Sequence, residues 1–76
     1  MGIEKVLGDI KAERVKQDEQ WGGPNHDDDH AECDWRDYIE KQLEGARFAG
    51  TRKERRKRYV KIAALAVAAI ESMDRG

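Results

Sequence analysis

Ile62-Ala63-Ala64-Leu65-Ala66-Val67-Ala68-Ala69-Ile70 is the stretch on which the fold turns. Every residue in it is apolar, and on a helix at 100° per residue its small alanines lie on all sides of the cylinder. Such a helix is expected to be buried all round. The run is about half the length a membrane span requires, so protein rather than lipid is expected to cover it. Two partner helices drawn from a chain of 76 residues do not easily surround it. The economical solution packs it against copies of itself in a homo-oligomeric helical bundle. A monomeric three-helix bundle with a narrow alanine-rich contact is the alternative.

Reading outward, Thr51-Arg52-Lys53-Glu54 forms a capping box. It predicts a helix that opens there, runs through Tyr59 and the apolar stretch, and ends near Asp74. Gly50 supplies the stop of a preceding helix. That helix is predicted to start at Asp34, with Asp37 in the reciprocal capping position and Trp35, Tyr38, Ile39, Gln42, Leu43 and Ala46 on its inner stripe. Ile3, Val6, Leu7 and Ile10 recur at helical spacing and predict a first helix over 3–20, weakened by about 1 kcal/mol at Gly8. Between the first two helices lie Trp21-Gly22-Gly23-Pro24-Asn25 and the polar run 26–30, the one long connection. The expected fold is all-α: a short amphipathic N-terminal helix plus a helical hairpin, in a single domain over 1–76. No longer repeat complicates it.

A chain this short buries a modest core, and oligomerisation is the usual remedy where disulfides are absent. Cys33 stands alone, so no intramolecular bridge is possible and a reducing compartment is implied. With no secretory signal pattern and no span-length apolar run, a soluble cytoplasmic protein is expected, away from membranes. Charged residues make up 41% of the chain, but 15 Lys and Arg stand against 16 Asp and Glu. Bulk charge therefore does not point to nucleic acid, and the placement of each sign carries the information.

Three clusters bear chemistry. His26-Asp27-Asp28-Asp29-His30 concentrates metal-type ligands, but adjacent loop residues rarely converge on one ion and no recognised ligand spacing is met. A solvated acidic loop, structural or ligand-contacting, whose aspartates also favour the positive end of the following helix is the plainer reading. Glu40 and Glu44 stand four apart with Asp37 one turn earlier, three carboxylates on one helix side. Such a row can hold Mg²⁺ when a second element adds acids, and is otherwise a solvated face. Arg52, Lys53, Arg55, Arg56, Lys57 and Arg58 crowd a helix start where the dipole is already positive. An anion should offset them, and phosphate suits both the Arg forks and the free N–H groups. Neutralisation by residues 27–29 and Glu54 is the competing explanation. Arg55, Arg58 and Lys61, spaced by three, are expected to address one elongated anion. Trp21, Trp35, Tyr38 and Tyr59 read as core by default. Phe48 falls well off its helix's apolar stripe and should meet a partner chain or stack on a ligand.

Taken together, Glu13-Arg14, Gln17-Asp18-Glu19-Gln20-Trp21-Gly22, His26, Trp35 with Ile39-Glu40 and Glu44, and Val60-Lys61-Ile62-Ala63-Ala64-Leu65-Ala66-Val67-Ala68-Ala69-Ile70-Glu71 resemble the short phage-encoded MazG-like proteins. The resemblance spans most of the chain. It implies an all-helical, oligomeric nucleotide pyrophosphohydrolase that converts nucleoside triphosphates to monophosphate and pyrophosphate with Mg²⁺. The family's ligands form a Glu-Glu-x-x-Glu run on one helix and Glu-x-x-Asp on the next. Here Glu40 and Glu44 survive, Lys41 interrupts the run, and Arg58 and Lys61 occupy the second pair. Glu71-x-x-Asp74 spells that second motif, but it lies about 20 Å along the helix from Arg58.

Replacing carboxylates by cations should repel Mg²⁺ and attract phosphate. The leading expectation is therefore a nucleotide-binding protein without chemistry and without a cofactor. Its ligand contacts would come from Arg55, Arg58, Lys61, Trp21, His26 and Phe48. In a phage setting it would sequester a nucleotide signal of host antiviral immunity. The alternative is an Mg²⁺-dependent pyrophosphohydrolase using Glu40 and Glu44 as metal ligands with Asp37. A protein-binding inhibitor of a host factor is the third.

Overall fold

The computed structural model describes residues 2–21 and 32–75. Among them the chain forms three helices and no strand: α1, Ile3–Trp21; α2, Glu32–Phe48; α3, Arg52–Arg75. The all-α reading and the hairpin of α2 and α3 are as expected. Both α1 and α2 pack on α3, and the backbones of α1 and α2 do not approach one another. Helix α3 is therefore the spine, and an open trough runs along it between the other two.

The hairpin is made locally. The backbone N–H of Glu54 donates to Thr51 Oγ1 at 3.1 Å, which satisfies one otherwise unpaired group of the first turn, and that of Arg55 donates to the Thr51 carbonyl at 3.0 Å as the first bond of the helix itself. At the other end of the corner, Ala49 N–H donates to the Ala46 carbonyl at 3.3 Å and closes α2. The core then forms where Trp35 and Ile39 of α2 meet Leu65, Ala68 and Ala69 of α3. Alanine admits the indole because it leaves room at the crossing, and Tyr38 meets the Trp35 ring edge-on at 6.3 Å.

Several expectations change. Helix α2 begins at Glu32, two residues before the expected cap; neither Glu32 nor Cys33 interrupts a helix, and Asp34 in the first turn still faces the positive dipole end. Trp21 closes α1 instead of opening the connection. On α2, Trp35 and Ala46 are buried but Tyr38 and Leu43 are exposed, because a single partner helix covers only the middle of the stripe. The apolar stretch of α3 is not covered all round by its own chain: Ala64, Leu65, Ala68 and Ala69 are buried, whereas Val67 and Ile70 face outward.

The largest departure lies in α1. Its apolar series is mostly exposed at Ile3, Val6 and Leu7, and its most buried side chains are Arg14 and Gln17, at 8% and 4% exposure. Arg14 donates from Nε to Glu71 Oε1 at 3.0 Å and from Nη1 to Gln17 Oε1 at 3.5 Å. Its Nη2 lies 2.9 Å from Asp18 Oδ1, an ionic contact made outside good hydrogen-bond alignment. Burial alone disfavours the charged guanidinium, but the carboxylates of Glu71 and Asp18 outweigh it and raise the Arg14 pKa above its ordinary value. Asp9 adds a second tie, accepting from Arg56 Nη2 at 2.7 Å and from Lys5 Nζ at 3.2 Å.

Candidate functional site

The trough between α1 and α2 has two adjoining compartments. The first, about 230 Å³, takes Glu13, Gln17 and Gln20 from α1, Tyr38, Lys41 and Gln42 from α2, and Lys61 and Leu65 from α3. The second, about 180 Å³, lies toward the start of α3 and is lined by Glu13, Lys16, Glu54, Lys57, Arg58 and Lys61. Glu13 and Lys61 belong to both, so the compartments form one elongated groove. Its volume is on the scale of small-molecule sites, which begin at about 300 Å³.

One end of this groove is rich in amides and the other in cations. Gln17, Gln20 and Gln42 each carry a donor and an acceptor, and Tyr38 adds a ring at the same end. At the other end Lys16, Lys57, Arg58 and Lys61 stand, among the described residues, beside Glu13 and Glu54. Among the described residues, Lys16, Lys41, Lys57 and Lys61 make no ion pair within 4.0 Å. An anion entering here meets positive charge that the described part of the chain has not neutralised.

Arg58 is held in place. Its Nη1 donates to Gln42 Oε1 at 2.9 Å, and its guanidinium lies flat across Gly45 of α2. A Cβ at position 45 would stand 3.0 Å from Arg58 Cζ, so the glycine makes room for this crossing. One face of the fork is thereby fixed while the side chain still lines the groove.

The residues singled out in the sequence divide as follows. Arg58 and Lys61 line the groove together. Arg55 turns to the hairpin corner, where Nη1 reaches the Ala49 carbonyl at 3.5 Å, and does not line it. A three-residue spacing drifts by 60° per step, and two steps carry Arg55 away from Lys61. Lys16, Lys41 and Lys57 join instead, with Gln17, Gln20 and Gln42. The α3 pattern itself contains Lys57, but the α1 members required knowing how α1 docks. Phe48 is 75% exposed at the end of α2, with the Arg47 guanidinium 5.7 Å from its ring centre, and it lies apart from the groove. Asp37, Glu40 and Glu44 are exposed on α2, off the groove lining. Among the described residues no group of three or more His, Cys, Asp or Glu is placed to hold a metal. Glu71 is taken up by Arg14. Trp21 ends α1, and its side chain, like His26 and the run 26–30, lies outside the described residues.

No helix among the described residues is long and apolar enough to cross a membrane. Neither a family model, nor a curated protein, nor a solved structure matches the chain.

Proposed function

We propose that this chain is a MazG-like, homo-oligomeric nucleotide-binding protein of phage type that holds a phosphorylated nucleotide without hydrolysing it. The observation that carries the reading is the groove's polarity. Lys16, Lys57 and Lys61, which pair with no acid among the described residues, suit a phosphate together with an oriented Arg58, and the amides of Gln17, Gln20 and Gln42 beside Tyr38 suit a base. Arg58 and Lys61 replace acids that the resembling enzymes use for Mg²⁺, and cations favour phosphate contact directly. A binder of this kind acts by sequestration, and a nucleotide signal of host antiviral immunity is the proposed cargo.

Calorimetric titration with a panel of nucleoside mono-, di- and triphosphates and cyclic nucleotides, with Mg²⁺ and with EDTA, tests the reading. Binding is expected in both conditions and should weaken as salt rises. Arg58→Ala should cost roughly 1.5–3 kcal/mol, a ten- to hundredfold loss of affinity. Equal affinities for wild type and variant at low and high salt would overturn it. Mg²⁺-dependent turnover abolished by Glu40→Gln would replace it by the pyrophosphohydrolase.

A further inference from the structure

Two glutamines at the amide end of the groove are each held by an arginine. Gln42 Oε1 accepts from Arg58 Nη1 at 2.9 Å, and Gln17 Oε1 accepts from Arg14 Nη1 at 3.5 Å. A guanidinium has five N–H donors and no acceptor, so only the oxygen of an amide can face it. Turning either amide over would set its NH2 group against N–H donors and lose the bond. Gln17, 4% exposed, is thereby oriented on the α1 wall and half-buried Gln42 on the α2 wall. Among the described residues neither Nε2 has a partner, and neither is a sealed atom left without one, Asp18 Oδ1 being the single such case. Both NH2 groups therefore keep an open side, and the space that both residues line is the first compartment of the groove.

We infer that Gln17 and Gln42 act as a fixed pair of donors, one on each wall, that selects a ligand by the oxygens on its edge. A nucleotide whose base presents a ring carbonyl there, an oxopyrimidine or oxopurine, is held in preference to one that presents an amino group. The inference rests on the proposed nucleotide binding and adds the class of base to it. A carbonyl accepts from the NH2 groups. An exocyclic amino group in the same place sets donor against donor and leaves both unpaired in a partly desolvated site, the situation in which a polar site discriminates most strongly. The neighbouring polar groups do not offset this. The Tyr38 hydroxyl both donates and accepts, the exposed Gln20 amide can turn either way, and Lys41 only donates. Glu13 accepts, but it lines both compartments and borders the cationic end.

Calorimetric titration of the intact chain with matched pairs tests the inference. Uridine and cytidine diphosphate differ by a carbonyl or an amino group at one ring position and by the proton on the adjoining ring nitrogen, and inosine and adenosine diphosphate differ in the same way. Phosphate contacts are common to both members of a pair and cancel. The oxo member of each pair should bind at least tenfold tighter, about 1.4 kcal/mol. Gln17→Glu keeps an acceptor for Arg14 and offers the groove an oxygen in place of the NH2 group, and Gln42→Glu does the same beside Arg58. Each should remove or reverse the preference. The added charge acts on both members alike, so the ratio of affinities is the readout. Gln17 is buried, and if Gln17→Glu loses its helix content by circular dichroism, the wild-type ratios and Gln42→Glu decide. Equal affinities within the wild-type pairs, a preference for the amino members, or a ratio that neither substitution moves overturns the inference and leaves nucleotide binding standing. Binding of none of the four diphosphates at millimolar concentration overturns the proposed function and this inference with it.

Discussion

Helix α2 meets α3 chiefly through Trp35 and Ile39, by shape and desolvation, with one hydrogen bond from Arg58 to Gln42, whereas the contact of α1 with α3 is tied by Arg14 and Asp9, through charge and hydrogen bonds. The first contact follows a three-residue corner and forms between neighbours in sequence. The second joins Arg14 to Glu71 across a separation of 57 positions. Apolar burial is non-directional and insensitive to pH, while a buried guanidinium binds only where its acceptors stand. The hairpin should therefore be the stable unit, with α1 a more conditional wall. Since α1 supplies Glu13, Lys16, Gln17 and Gln20 to the groove, its attachment governs whether a ligand finds a complete site.

The largest expected effect tests the hairpin side. Trp35→Ala removes the large ring of the core formed by the described residues and should cost about 3–5 kcal/mol, a large share of the stability of a chain this size. Urea denaturation followed by circular dichroism measures it. A loss below about 1 kcal/mol would mean that the indole is not the anchor and that the contrast fails.

Next is Arg14→Met, which keeps the stem and deletes the fork. Glu71 and Asp18 are partly solvated, so the loss should be about 1–3 kcal/mol rather than the cost of a fully buried orphan charge. Its signature is regional: amide exchange should accelerate along α1 more than along α2 or α3. Uniform acceleration would show that α1 is not separately attached.

That contrast also decides what could be read from the sequence. The α3 cap and its hairpin were legible because a capping box and an alanine-rich run are local patterns. The pattern points to a start of α2 two residues late, because Asp34 is equally suitable as a cap and as a first-turn acid. The docking of α1 was not legible: periodicity weighs apolar residues, so it selects Ile3, Val6 and Leu7, whereas the buried face is polar. The same blindness hid half of the groove. Arg58 and Lys61 could be named from α3, but Lys16, Gln17 and Gln20 become neighbours of them only after α1 is set down by Arg14.

At the corner between the two regions, Thr51→Ala deletes the side-chain acceptor of the Glu54 N–H and leaves the apolar core untouched. The expected cost is about 1 kcal/mol, and Thr51→Ser should restore nearly all of it. A loss that serine does not rescue would assign Thr51 to methyl packing instead of capping.

The smallest effect lies in the exposed tie between α1 and α3. The Arg56 guanidinium, with Lys5 adding to it, holds the Asp9 carboxyl below its ordinary value of 3.8. A carboxyl whose pKa is lowered by folding contributes stability that is present above 3.8 and is lost as pH falls through the lower folded value. Wild type and Asp9→Asn should therefore differ near neutral pH and converge in acid. Because the pair is solvent-exposed, added salt should narrow the difference at neutral pH, whereas the deficit of Arg14→Met, which removes a guanidinium that is itself buried, should change less with salt. Thermal melts of the two variants across pH and ionic strength check both statements. A deficit of Asp9→Asn that stays constant with pH would mean that Asp9 works through its shape, and charge would then hold α1 only at Arg14.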